Sequence, residues 1–243
     1  MRRPAALGAS LALVLLAGAA LAGCASSSGG TTQTAEPSVP AVVTELDAAW
    51  LDGGRMIGLV TQGSSTCIPT AEDVSYADGV LQVSLVDVSE GVCTADFAPR
   101  VSLVSVPEDV DASENLAIEV TGGYTGEVTL PGDEGLVFAS TSDQTPSAGW
   151  STAEGTFIVQ LWGSSGCPES ITSAEVTGDA AITVSLSGVP ADKVCTADIA
   201  PNGQITVVDG LVGVQDVAVT VTSAGVEPFT TPILGVNGAS AAQ

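Results

Sequence analysis

One stretch of this chain occurs twice, and it constrains the fold more than any other feature. The first copy runs from Gly63-Ser64-Ser65-Thr66-Cys67 to Cys93-Thr94-Ala95-Asp96-Phe97-Ala98-Pro99, and the second from Gly163-Ser164-Ser165-Gly166-Cys167 to Cys195-Thr196-Ala197-Asp198-Ile199-Ala200-Pro201. Laying the second half on the first at an offset of 100 pairs Trp50 with Trp150 and Cys67 with Cys167. The offset is 101 where Leu81-Gln82-Val83-Ser84-Leu85 meets Ile182-Thr183-Val184-Ser185-Leu186, and 102 at the second cysteines. Two single-residue insertions therefore separate the copies, one just after the Cys67 block and one in the turn before Cys93. Insertions belong in loops, so the pattern is that of a duplicated domain.

Four of the five cysteines lie in these blocks. The fifth, Cys24, closes a different signal. Met1-Arg2-Arg3 is a basic n-region, and Leu7 to Ala22 is an apolar run too short and too poorly flanked to span a membrane, which together read as a signal peptide over residues 1–23. It ends in Leu21-Ala22-Gly23-Cys24, which resembles the lipobox of bacterial lipoproteins. That resemblance implies that Cys24 is acylated and becomes the new N-terminus. Two or three acyl chains hold a protein stably on a bilayer, where one binds marginally. The expected location is the extracytoplasmic face of the cell membrane, with the lipid bilayer as partner through acylated Cys24.

In an exported chain the remaining four cysteines read as two disulfides. Three connectivities are possible. The separations of 26 and 28 residues, at matching places in each copy, make Cys67–Cys93 and Cys167–Cys195 the economical choice. Metal binding is the rival reading, but the chain has no histidine and no C-x-x-C spacing, so neither a metal nor another cofactor is expected.

Charge narrows the partners. Five basic residues stand against 28 acidic ones, for a net charge of −23, and loss of the signal leaves only Arg55, Arg100 and Lys193. Nucleic acid is excluded as a partner, since phosphate binding rests on clustered Lys and Arg. The surface favours solubility and attracts cations or basic partners.

Residues 24–40 are Ser, Thr, Gly and Pro without apolar period and read as a flexible tether. From there the expectation is all-β: tandem small antiparallel β-sandwich or barrel domains with one disulfide each, over residues 41–131 and 148–236, joined by a linker at 132–147 and followed by a frayed tail at 237–243. Short Val, Ile, Thr and Leu runs alternate with polar residues between Gly, Pro, Asp and Asn breaks, the period-2 signal of strands. They place strands at 55–62, 72–76, 80–88, 100–106, 116–121 and 126–130, and at 155–162, 173–177, 180–187, 204–208, 215–222 and 229–234. Asp78-Gly79 favours a two-residue type I′ hairpin, and Gly178-Asp179 holds the matching place. Pro99 and Pro201 cannot donate to a ladder, so each begins an edge strand or a bulge. Leu136-Val137-Phe138 is too apolar for a free linker and is expected to pack on a domain.

The candidate chemistry is thin. Ser64, Ser65, Ser164 and Ser165 sit in tight Gly-flanked turns, but a serine nucleophile needs a base and no histidine exists; Lys193 has no counterpart in the first copy. These serines read as turn residues that satisfy backbone groups. Asp96 and Asp198 recur in Cys-Thr-Ala-Asp, and paired carboxylates hydrolyse glycosides, yet no second acid repeats beside each. They read as acceptors for backbone N–H groups in the turn before Ala-Pro. Asp109-Val110-Asp111-Ala112-Ser113 begins like a calcium loop but has Glu114 where the loop needs Gly and Val120 where it needs an acid, leaving a solvated loop over Pro107 to Asn115. Trp50 and Trp150 occupy equivalent places and read as core or closing residues. Trp162 stands opposite Gln62, precedes the Gly-Ser-Ser turn, and is the candidate ligand contact.

The succession of a Trp, a strand, Gly-Ser-Ser-x-Cys and Cys-Thr-Ala-Asp-x-Ala-Pro resembles a group of exported actinobacterial lipoproteins of uncharacterised function, over residues 50–106 and 150–208. The resemblance brings no catalytic residues with it. Gln62 departs from the Trp expected before Gly-Ser-Ser, as a ligand surface that has degenerated in the first copy. The functional expectation is a non-enzymatic binding or interaction module at the cell envelope, with an envelope protein or wall polymer as partner. The alternatives are a structural envelope component or a carboxylate-based hydrolase.

Overall fold

The computed structural model describes Val42, Val43 and residues 45–238, apart from 88–91 and 137–141. The expected signal peptide, Cys24 and the tether, with Val137, Phe138 and residues 239–243, lie outside the described residues. Both repeats fall within one compact unit, Val39–Gln243.

The chain is all-β. In the first half the strands are β1 (Val42–Val43), β2 (Asp47–Leu51), β3 (Met56–Gly63), β4 (Thr70–Ala77), β5 (Val80–Val86), β6 (Ala98–Ser105), β7 (Leu116–Gly122) and β8 (Tyr124–Leu130). In the second they are β9 (Ser147–Trp150), β10 (Thr156–Gly163), β11 (Ile171–Gly178), β12 (Ala181–Leu186), β13 (Ala200–Val207), β14 (Ala218–Ser223) and β15 (Val226–Leu234). Alternation does what period 2 dictates: in β5, Leu81, Val83 and Leu85 are fully buried while Gln82 and Val86 are exposed. Each such side chain contributes roughly 1.5–3 kcal/mol by leaving water.

Strands β2 and β9 escape a period-2 reading for a physical reason. Every residue of Asp47-Ala48-Ala49-Trp50-Leu51 after the first is buried, because one face packs into its own repeat and the other against the second repeat. Strands buried on both sides read as continuous apolar runs.

The sheets are mixed, which corrects the expected antiparallel arrangement. The first half has a five-stranded sheet ordered β1-β8-β7-β5-β4 and a three-stranded sheet ordered β2-β3-β6. Strand β5 leaves for β6 in the other sheet before the chain returns as β7, and a connection of that length allows β5 and β7 to pair in parallel, Leu81 beside Ile118. The second half repeats this with Ile182 beside Val219. There, however, β15 pairs in parallel with β9, so β11-β12-β14-β15-β9-β10-β13 forms one seven-stranded sheet.

Pairing registers match between halves: Thr61 faces Arg100 and Gln62 faces Pro99 on β3 and β6, while Leu161 faces Asn202 and Trp162 faces Pro201 on β10 and β13. Both prolines lie in edge strands, as their missing N–H requires. Asp78 and Gly79 have φ of 53° and 82°, fitting a type I′ turn between Ala77 and Val80. The second half departs from this. Gly178 is the last residue of β11, paired with Ala181, and the turn is Asp179-Ala180, which the single-residue insertion has moved by one place.

Two loops are better anchored than their composition suggests. Val110 and Ala112 are buried in the first core, so the Pro107–Asn115 loop is not simply solvated. Asn237 is 1 % exposed, accepts the Gly155 N–H at 2.7 Å through its side chain, and accepts the Gly213 N–H through its carbonyl, so the tail is tied down at its start. Leu136 packs against the first core, as expected of the linker.

The repeats meet along an apolar seam of Ala49, Leu51, Val60, Val101 and Ile158, flanked by Met56, Leu103 and Ile205. Equivalent positions face each other across it, a large side chain against glycine. A Cβ on Gly58 would stand 2.7 Å from Ile158 Cδ1, and one on Gly203 would stand 2.6 Å from Val101 Cγ1. On Gly149 it would fall 2.0 Å from the Trp50 carbonyl oxygen. Hydrogen bonds fix the edges: Asp52 N–H to Ser147 Oγ (2.9 Å), Thr152 N–H to the Ala48 carbonyl (3.1 Å) and the Thr152 hydroxyl to Asp47 Oδ1 (3.0 Å).

This complementarity predicts that Gly203→Val destabilises the protein by about 1–3 kcal/mol through overpacking. Adding Val101→Gly relieves the clash, and urea titration of the four members of the double-mutant cycle should give a favourable coupling of roughly 1 kcal/mol.

Candidate functional site

Each repeat builds the same structure at the end of its β3–β6 or β10–β13 pair. The disulfides are Cys67–Cys93 and Cys167–Cys195, each with Cα atoms 5.4 Å apart. They join the loop after β3 to the loop before β6, and likewise β10 to β13, so two long connections are closed where the strands diverge.

The serines and the aspartate belong to one clamp. Asp96 accepts the Ser65 N–H at 3.2 Å and the Thr94 hydroxyl, while Ser64 Oγ lies 2.9 Å from Thr94 Oγ1. Asp198 accepts the Ser165 N–H at 3.3 Å and the Thr196 hydroxyl, with Ser164 Oγ 2.7 Å from Thr196 Oγ1. The carboxylate thus reaches back to the Gly-Ser-Ser turn instead of capping its own. Hydrogen bonds from the Ser65 and Thr94 side chains and then the Ser65 backbone hold the Asp96 carboxyl at about 2, below the ordinary 3.8. Asp198 is lowered by the same kind of contacts, led by Ser165 and then Thr196. A carboxylate so engaged is a poor proton carrier, and the hydroxyls are committed to it. Lys193 is exposed in the loop before Cys195.

Beneath the clamp the repeats differ. In the first, the Arg100 side chain is only 5 % exposed and fills the space below the Gly-Ser-Ser-x-Cys turn. Its guanidinium donates to Thr61 Oγ1 (3.3 Å), to the Ser64 carbonyl (3.2 Å), to the Cys67 carbonyl and to the Tyr124 hydroxyl. Tyr124 in turn donates to Asp87 Oδ1 at 2.6 Å, linking the buried cation to a surface carboxylate. Burial raises the Tyr124 pKa and the Asp87 hydrogen bond raises it further, against the opposing pull of Arg100. A buried charge is tolerable only when paired and hydrogen-bonded in this way.

None of that set recurs in the second repeat. Asn202 stands for Arg100, Leu161 for Thr61 and Gly188 for Asp87, and β15 holds no tyrosine to stand for Tyr124. A cavity of about 250 Å³ lies there instead, lined by Leu161, Trp162, Ser164, Cys167, Glu169 and Asn202 among others. The glycines before the two turns show the contrast directly. A Cβ on Gly63 would meet Arg100 Cζ at 2.6 Å, whereas one on Gly163 would meet nothing within 4 Å. Glu169 is oriented by the Ser223 hydroxyl at 2.5 Å and has no acidic counterpart in Ser64–Pro69.

Trp162, the candidate contact read from the sequence, is among the lining residues, and its indole N–H is buried without a hydrogen-bond partner. Trp50 and Trp150 are buried core residues: Trp50 donates to the Pro131 carbonyl at 2.8 Å, and Trp150 packs edge-on to Phe157 with ring centroids 5.4 Å apart. Asp111 folds back on Ser113, accepting its N–H at 2.9 Å and its hydroxyl at 2.6 Å. The Arg100/Asn202 exchange was the informative difference that sequence reasoning passed over. Its signal was present, since Arg100 is one of very few basic residues and follows the edge proline at a position whose parity matches buried Ser102 and Val104. Comparison with protein-family models, with curated proteins and with solved structures finds no match to this chain.

Two measurements check the clamp. Replacing Cys67 and Cys93 together by Ser should cost about 3.5 kcal/mol, the loop-closure entropy of a 26-residue separation, read by chemical denaturation. Asp96 has its folded pKa depressed, so its contribution is complete above the ordinary 3.8 and is lost as pH falls through about 2. Asp96→Asn should therefore melt below wild type at neutral pH, and the two melting curves should converge as pH falls from about 4 to about 2.

Proposed function

We propose that this chain is a non-enzymatic, membrane-anchored binding module, with the cavity of its second repeat as the ligand site. The carrying observation is a single contrast: one turn-and-disulfide frame is plugged by Arg100 in the first repeat and opens onto a cavity beside Asn202 in the second. A hydroxyl–aspartate clamp already committed to structure supports binding over hydrolysis, since its aspartates and hydroxyls are hydrogen-bonded to one another. On this reading Cys24 carries the lipid, residues 24–40 are the tether, and the module acts at the extracytoplasmic face on an envelope protein or wall polymer. Each repeat is read as a two-layer β-sandwich, because buried residues of β2, β3 and β6 share one cluster with those of β5, β7 and β8. The first repeat is then the support and the second the receptor.

The test blocks the cavity without disturbing its frame. Gly163 has open space where its side chain would be, so Gly163→Leu should fill the cavity and fold normally. Immobilised wild-type protein and this variant are incubated with solubilised envelope proteins and wall polymers. The reading requires a species retained by wild type and lost by Gly163→Leu at an unchanged melting temperature; equal retention by both refutes it.

A further inference from the structure

The first repeat contains a template for what the second repeat binds. We infer that the second-repeat cavity takes a guanidinium group supplied from outside the chain, in the place that Arg100 occupies in the first. The inference rests on the binding reading above and adds the chemistry of the ligand.

Arg100 and Asn202 sit at the same register of the edge strand, opposite Thr61 and Leu161, so their side chains leave the same face of the sheet toward the same turn. In the first repeat the guanidinium's backbone acceptors are the Ser64 and Cys67 carbonyls. Ser164 and Cys167 hold those places in the second repeat, and both line the cavity. The turn is held alike in both, by the Cys67 N–H to the Ser64 carbonyl at 3.3 Å and the Cys167 N–H to the Ser164 carbonyl at 3.1 Å. The acceptors that the frame aims at a cation are thus conserved between the copies, while the chain's own cation is not.

Electrostatics select the same ligand. In the first repeat the buried charge is balanced through Tyr124 by Asp87. The second lacks both but brings Glu169 to the cavity wall, held by Ser223. A planar guanidinium donates to several acceptors at once and is less strongly hydrated than an ammonium, so it suits a half-enclosed site of carbonyls and one carboxylate better than lysine does. The net charge of −23 draws such a ligand in. Leu161 in place of Thr61, with Pro168, Val189 and the disulfide among the lining residues, gives apolar wall for an aliphatic stem.

The experiment uses the whole exported protein, with the fluorescence of half-buried Trp162 and calorimetry as readouts, and three probes. These are ethylguanidinium, N-acetyl-arginine methylamide and N-acetyl-citrulline methylamide, the last being the neutral isostere of the second. Saturable binding of the arginine derivative, at least about tenfold tighter than citrulline, is expected. Ethylguanidinium binding equally well points to a free small guanidine as the source, and a clear preference for the arginine derivative points to an arginine side chain in a peptide. Asn202→Arg supplies the group internally, and it should abolish binding with the melting temperature unchanged or raised. Citrulline binding as tightly as arginine overturns the cation while leaving the cavity a binding site. Failure of every probe, with capture still lost in Gly163→Leu, overturns the guanidinium but not the binding role. Should Gly163→Leu retain full capture, the binding role itself falls.

Discussion

The seam between the repeats is the constraint on which the rest depends. Strands β2, β3 and β6 of the first half and β9 and β10 of the second are largely buried, and Ala49, Leu51, Val101 and Ile158 share one cluster there. The contact is specific because each crowded position is answered by a glycine at its own equivalent: Ile158 over Gly58, and Val101 over Gly203. A symmetric pairing of like repeats would set glycine against glycine, leaving a hole, or valine against valine, forcing a clash; both are costly in a close-packed interior. The sequence differences between the repeats therefore specify that the first packs on the second and not on another copy of itself. This is the self-complementarity of a two-fold interface, converted by duplication into a permanent asymmetric pair.

Asymmetry at the seam makes asymmetry at the turns affordable. Both repeats keep the clamp of disulfide, serines, threonine and aspartate, which fixes the direction of the turn carbonyls. In the first repeat those carbonyls are consumed by Arg100, and the buried cation is balanced by a relay through Tyr124 to Asp87. Such a knot stiffens its repeat at the expense of any ligand. In the second repeat loss of the arginine is accompanied by loss of both its side-chain partners, Thr61 and Tyr124, and of Asp87 behind them, as it must be: a remaining Tyr124 or Thr61 equivalent would leave buried polar atoms without partners. The exchange is a concerted replacement of one chemistry by another, with Glu169 added, and not a single drift from Arg to Asn.

Much of this was legible in the sequence, for identifiable reasons. Disulfide pairing followed from the matching places of the cysteines. The alternation in Leu81-Gln82-Val83-Ser84-Leu85 located a strand with one wet face, and Pro99 and Pro201 named the edges. Strands β2 and β9 were not legible, because residues buried on both faces lose the period that marks a strand. Parallel pairing of β5 with β7 was hidden too, since adjacency in sequence says nothing of a strand that crosses to the other sheet and returns. At the site, Trp162 stood out by type, whereas Arg100 did not: a lone arginine is normally a surface residue, and only the two-residue parity shared with Ser102 and Val104 betrays that it points inward.

The entry of the chain agrees with a division of labour between the repeats. Strand β1 pairs with the start of β8, setting Val42 beside Tyr124, the residue that ties Arg100 to Asp87. The segment leading in from the N-terminal side therefore joins the first repeat at its plugged end, beside the tyrosine that holds the guanidinium. A pull on that segment would load Tyr124 and the arginine relay first, and would reach the second repeat through the seam and the chain that joins the two repeats. On the membrane-anchored reading proposed above, the cavity therefore lies on the repeat that the lead-in strand β1 does not join, as a displayed binding site requires.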